Sequence, residues 1–206
     1  MTQAQNAFDD RFFELYMDPM LHRVREIVAR CIPPDSTVID IGCGTGEQCA
    51  RLASSCRRIV GIDPDSKRID EARARVAECR GSDAVIIHGD FRTLNRFDDE
   101  TFDIALMVMR IHELDTEERL PVLRDVFRIG RRVILSDYVC PSPDTPHGAV
   151  ARMCEMLTGI HHFDKYQLYH RAGGLRSIER QLKVVPQHVE TNQSGTIEVC
   201  LYTGKR

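Results

Sequence analysis

The segment VIDIGCGTGE, residues 38–47, carries an apolar run straight into three glycines separated by single residues. Glycine inside a regular element costs roughly 0.5–1 kcal/mol relative to alanine. Gly42, Gly44 and Gly46 stand where a buried strand should stop. A backbone that turns sharply, or that lets another group come very close, accounts for them. The chain is therefore expected to fold around a strand that passes into a helix through a tight loop.

The rest of the sequence repeats that alternation. Strand-like runs occur at 38–41, 58–62, 84–87, 102–108 and 132–137, and helix-period stretches separate them. Residues 8–30 read as a helix with Phe12, Leu15, Tyr16, Leu21, Val24, Ile27 and Val28 inward, kinked or split by Pro19. A helix follows the glycines over 47–53. Pro64 and Asp65 open the next one, with Ile69, Ala72 and Val76 on one face. Residues 115–130 form a helix with capping-box spacing between Asp115 and Glu118, Pro121 placed in its early turns, and Gly130 after its end. A long helical stretch over 148–182 is broken near Gly159 and at Gly173–Gly174. Strands at 184–190 and 196–202, joined by a polar loop, read as an antiparallel hairpin. The expected fold class is α/β. It is a doubly wound, mostly parallel seven-stranded sheet, Rossmann-like, with helices on both faces and a reversed final strand. With 206 residues, one domain spanning 1–206 is expected.

Composition narrows the function. A net charge of −3 gives no footprint for nucleic acid, and none is expected as a partner. Lys165, Arg171, Arg176 and Arg180 read as solvated helix faces. No run of 18 apolar residues occurs, so no membrane span is expected. The polar, acidic start is unlike a secretory signal. The eight cysteines form no CxxC pair and lie in apolar stretches, which reads as reduced thiols and a cytoplasmic location.

In open α/β sheets, ligands bind beyond the carboxyl ends of the strands, where strand order reverses. Asp63 ends the second strand, 21 positions after Gly42, where an acid accepts hydrogen bonds from ribose hydroxyls. Dinucleotide sites prefer G-x-G-x-x-G, because a pyrophosphate rests on the helix N-terminus. Here the spacing is G-x-G-x-G, and the acidic Glu47 opens the helix, which would repel a pyrophosphate but not a ligand with a sulfonium and an amino group. After the third strand, Asp90 can accept from an adenine amino group and Phe91 can cover the ring.

With VIDIGCGTG, GIDPD, HGDFRTL, FDIALMVMRIHEL and a late GGL in this order, the chain resembles the class I S-adenosylmethionine-dependent methyltransferases of the small-molecule type. The resemblance implies S-adenosylmethionine as cofactor and a small-molecule methyl acceptor as partner. It implies that Gly42 and Gly44 approach the methionine part, with Asp40 near its amino group. Asp63 would bind the ribose, Pro64 would lie near the adenine, and Asp90 and Phe91 would hold that ring. The backbone at Met107 and Val108 would lie beside the methyl donor. Gly46 is open to ligand contact or to helix–strand packing. The implied reaction is in-line methyl transfer.

His112, just after the fourth strand, is the candidate catalytic residue. Acid/base work, pocket lining and a structural hydrogen bond all remain open for it. Met153, Met156, Leu157 and Ile160 recur at helical spacing, which reads more readily as core, although the segment 145–175 is implied to contribute to the acceptor pocket. Met153, His161, His162 and Tyr166 are the candidate substrate-binding residues there. Tyr16 and Phe12 of an N-terminal helical lid, 1–30, join them. No metal is expected, since the adjacent His161 and His162 project differently and no ligand sits at matching spacing. An NAD-dependent oxidoreductase and a non-catalytic S-adenosylmethionine-binding module are the rival readings.

Overall fold

A computed structural model describes Leu15 and residues 17–79 and 83–204. Helix α1 (Asp18–Arg30) precedes β1 (Thr37–Ile41), α2 (Glu47–Leu52), β2 (Arg58–Asp63), α3 (Ser66–Ala77) and β3 (Ala84–His88). A 3₁₀ segment (Phe91–Arg96) leads to β4 (Phe102–Val108), α4 (Thr116–Ile129) and β5 (Gly130–Tyr138). Three helices follow, α5 (Pro146–Leu157), α6 (Ile160–Ala172) and α7 (Gly174–Leu182), and then β6 (His188–Thr191) and β7 (Ile197–Thr203).

The seven strands form one sheet in the order β3-β2-β1-β4-β5-β7-β6. β1 to β5 run parallel, β7 pairs antiparallel with β5, and β6 pairs antiparallel with β7. The order reverses between β1 and β4, whose carboxyl ends therefore diverge into a crevice. Val38, Ile39, Ile104, Ala105, Leu106, Val133 and Ile134 are wholly buried, as near-continuous apolar strands covered on both faces should be. No helix among the described residues is long and apolar enough to cross a membrane.

Several expectations change. Residues 8–14 and Tyr16 lie outside the described residues. α1 begins at Asp18, next to Pro19, which sits in its first turn, where its missing N–H costs no hydrogen bond. Leu15, expected inward, is exposed. Pro121 lies in the second turn of α4, among its early turns as expected, and removes one intrahelical bond there. Asp115 caps α4 without a side-chain bond, because its carboxylate pairs with Lys165 Nζ at 2.9 Å. The strand expected at 184–190 shrinks to His188–Thr191: Pro186 cannot donate to a ladder, and Val185 is exposed. Met153, Met156 and Ile160, which read as core, are exposed. The face of α5 that turns inward carries Ala151, Cys154 and Glu155 instead.

The glycine loop divides its labour. Gly46 has φ +77°, and a Cβ there would stand 2.8 Å from the Ala72 Cβ and 2.9 Å from its Cα. Helix packing against α3 therefore demands this glycine. At α3, Asp65 accepts from the backbone N–H groups of Lys67 and Arg68 and caps the helix. Gly46→Ala should lower stability by about 1–3 kcal/mol through left-handed strain and overpacking, and Asp65→Ala by ~1 kcal/mol through loss of the cap. Urea unfolding should show both as lower midpoints with unchanged slopes.

Candidate active site

The crevice between β1 and β4 opens into a cavity of about 500 Å³. Asp40, Gly42 and Gly44 line one wall, and Val108, His112 and Glu113 the other. Met17 just before α1, Leu21 and Arg25 of α1, Glu155 of α5, Thr158 just after it and His162 of α6 close it over.

Gly44 has φ +54° and nothing within 4 Å of where a Cβ would stand. Its N–H donates to Asp63 at 3.0 Å, and the other oxygen of that carboxylate accepts from the Asp65 N–H at 2.9 Å. Asp63 is thus buried behind the loop it holds, only 1% exposed. Burial pushes the Asp40 carboxyl up to about 7. The Cys49 S–H bonded to it at 3.6 Å opposes that rise, and the nearby Asp63 charge adds to it. Arg110 lies across Gly42 and pairs with Glu113. The Arg110 Nε and both polar atoms of the Gln48 amide are buried without a hydrogen-bond partner.

Glu47 is not a free charge. Arg25 stands 2.6 Å and Arg75 3.2 Å from its carboxylate. The repulsion expected of it toward a pyrophosphate is largely neutralised, so loop geometry rather than this charge distinguishes the site.

The other wall is a buried polar chain. Asp137, at the end of β5, is fully buried and accepts from the backbone N–H groups of Ile111, His112 and Tyr138 and from His112 Nδ1 at 2.7 Å. A carboxylate only accepts here, so Nδ1 carries the proton. His112 Nε2 faces Glu155 Oε2 at 3.6 Å. The same oxygen takes a 2.5 Å bond from His162 Nε2, and the other Glu155 oxygen accepts from the Tyr138 hydroxyl at 2.5 Å. Burial alone would lower the His112 pKa, but Asp137, Glu155 and Glu113 outweigh it and raise it to about 9. Arg119 fastens this region from behind, with its guanidinium donating to the Leu114 and Lys165 carbonyls and lying 5.6 Å from the Tyr169 ring.

The expected site residues are distributed unevenly. Asp40, Gly42, Gly44, Val108, His112 and His162 meet at the cavity. His161 is exposed and turned away from it, and Met153 lies on the outer face of α5. Tyr166 is buried behind His112, 6.3 Å between ring centroids, and lines a neighbouring cavity of about 440 Å³. Met107 is wholly buried. Pro64 is exposed, and its carbonyl accepts from His88. Asp90 caps the 3₁₀ segment and pairs with Arg92, beside the half-buried Phe91. Sequence reasoning missed Asp137, Glu155 and Gln48. A signal for Asp137 was present: Asp40, Asp63 and Asp90 already marked the carboxyl ends of earlier strands.

A family model described as a methyltransferase domain matches residues 38–132. O-methyltransferase cnsE of Penicillium expansum is 31% identical over 140 residues, 65% of this chain and 49% of that protein. Indolepyruvate C-methyltransferase of Streptomyces griseus is 33% identical over 155 residues, 70% of this chain and 43% of that one. The chain thus spans about half the length of the curated relatives it matches. Among solved structures, magnesium protoporphyrin IX methyltransferase from Synechocystis PCC 6803 with bound S-adenosylhomocysteine superposes with a TM-score of 0.66 at 17% identity, covering 95% of this chain and 86% of that one. The PH0226 protein of Pyrococcus horikoshii OT3 gives 0.67 at 18% identity, covering 92% and 91%. Motif order, strand order and these likenesses agree: the chain belongs to the class I S-adenosylmethionine-dependent methyltransferases.

Proposed function

We propose that this protein transfers a methyl group from S-adenosylmethionine to a small-molecule acceptor held in the cavity between β4 and α5–α6. One observation carries the reading. The open space at Gly44 and the buried polar wall of His112, Glu155 and His162 belong to one cavity, at the point where strand order reverses. When bound, the cofactor supplies a methyl group on a sulfonium, which leaves as it passes in line to the acceptor.

The residues fit such a ligand. The unpartnered Gln48 amide and Arg110 Nε are buried polar groups lining the cavity, and such groups call for a partner. Asp40 is placed for the amino group and Arg110 for the carboxylate of the methionine part, once Arg110 swings off Gly42. Asp63 reaches ribose hydroxyls only if the Gly44 loop shifts, because that loop seals it. Pro64, Asp90, Phe91 and the Met107–Val108 backbone keep the adenine and methyl-donor roles that the family resemblance implies. α1, through Leu21 and with Met17 just before it, acts as a lid.

His112 serves this site as an anchor rather than as the base. Both ring nitrogens face carboxylates, which favour the protonated imidazole and so make it a poor base toward an acceptor. Held in line, two reactants gain a large effective molarity, so positioning supplies much of the rate. The relatives' names include an O-methyltransferase and a C-methyltransferase, so the acceptor atom is chosen by the cavity and not by the family.

Calorimetric titration with S-adenosylhomocysteine and, separately, NAD tests the reading. Tight binding of NAD alone would overturn it, and methyl release with candidate acceptors distinguishes an enzyme from a binding module. Gly44→Ala should cost ~1 kcal/mol of stability, from its left-handed backbone, yet weaken S-adenosylhomocysteine by more than about tenfold, because the methyl fills the approach. Asp40 titrates near 7, and only its ionised form attracts an ammonium. Affinity should therefore fall as pH drops, by about tenfold from roughly pH 8 to pH 6, and Asp40→Asn should flatten that dependence. A pH-independent affinity in the unaltered protein would remove Asp40 from the amino-group role.

A further inference from the structure

We infer that His112, His162 and Glu113 form a binding site for a divalent first-row transition-metal ion on the acceptor side of the cavity. Each of the three offers a ligand atom, and these atoms all lie within 4.8 Å of one another. They come from two segments: His112 and Glu113 from the loop after β4, and His162 from the first turn of α6. Sequence spacing could not reveal such a set, since no two ligands stand at helical or loop-motif distance across the Gly159 break.

A second observation is independent of that proximity. Histidine ligands of metals almost always give their other ring N–H to a carboxylate, which fixes the tautomer and aims the free nitrogen. His112 Nδ1 does so to the buried Asp137 at 2.7 Å, so Nε2 is the nitrogen on the cavity side, where an ion would displace its proton. That Nε2 has no hydrogen bond of its own to Glu155, whose nearest oxygen is 3.6 Å away. Glu155 bonds His162 Nε2 and faces His112 Nε2, so its carboxylate is the partner that orients the two imidazoles. Ligands around a tetrahedral ion stand roughly 3.3–3.5 Å apart, so side-chain rotation of about 1 Å closes the site. Glu113 would exchange its pairing with Arg110 for the ion.

Two imidazoles with one carboxylate suit zinc, cobalt, iron or manganese better than magnesium, which prefers oxygen ligands. The ion would orient an oxygen-bearing acceptor and lower the pKa of the coordinated group. That last role rests on the methyl-transfer reading; the binding of the ion does not.

The test uses the full chain, stripped with chelator and titrated with Co²⁺, followed by visible absorption and by metal content. One equivalent per chain with a ligand-field band, and no thiolate charge-transfer band, is expected. His162→Ala should weaken Co²⁺ by at least the ~10–100-fold that loss of an outer partner alone costs, and Glu113→Gln should weaken it while circular dichroism stays native. His162 is half-exposed and Glu113 likewise, so both variants should fold. No cobalt uptake, or uptake unchanged in both variants, overturns the site. A chain that binds S-adenosylhomocysteine but not cobalt loses this inference and keeps the methyl-transfer reading. One that binds cobalt but not S-adenosylhomocysteine does the reverse.

Discussion

One buried carboxylate organises the half of the molecule where chemistry would occur. Asp137 ends β5 and gathers three backbone N–H groups and an imidazole N–H. Hydrogen bonds to a charged acceptor are each worth about 1.5–3 kcal/mol, and an unpaired buried charge is far more costly. The loop after β4 therefore has one low-energy course: folded back over the end of β5, with Ile111 buried and His112 aimed into the crevice. Arg119 holds the same loop from its other side through the Leu114 carbonyl.

From that anchor the polar chain extends to Glu155 and His162, and so dictates how α5 and α6 sit. α5 has two candidate inward stripes, one with Met153, Met156 and Ile160 continuing into α6, the other with Ala151, Cys154 and Glu155. Apolar burial would favour the methionines at about 25 cal/mol per Å². The carboxylate stripe is nevertheless the one turned inward, because Glu155 finds the Tyr138 hydroxyl and two imidazoles there. A fully partnered polar network outweighs a methionine face that solvent tolerates singly.

The opposite wall is governed by backbone geometry. Asp63 plays for the glycine loop the part that Asp137 plays for the loop after β4: a strand-end carboxylate tying down N–H groups. Gly46 is set by its contact with Ala72 and Gly44 by open space, so neighbouring glycines with the same φ sign answer to different constraints. Glu47, neutralised by Arg25 and Arg75, contributes attachment between α1, α2 and α3 rather than electrostatic selection.

The sheet, its parallel core, the antiparallel edge and the glycine crevice were legible in the sequence because each depends on local signals: period, glycine spacing, and strand-end aspartates. Asp40, Gly42, Gly44 and Val108 reached the cavity for the same reason, since a strand and its next few residues share one direction. What lines the far wall was not legible. His162 entered and His161 did not, because adjacent helical side chains diverge by about 100° and the angle of α6 is set elsewhere. Tyr166, one turn beyond His162, packs behind His112 and lines the neighbouring cavity, and Met153 is outside because α5 turns Glu155 inward. The strand expected at 184–190 starts only at His188, because Pro186 removes a donor, a local signal present in the sequence. The amino-acid order by itself determined which strands form and where the chain turns between them. Only tertiary packing decided that Asp137, His112, Glu155 and His162 meet, because burying charge demands partners, and those partners come from β5, the loop after β4, α5 and α6.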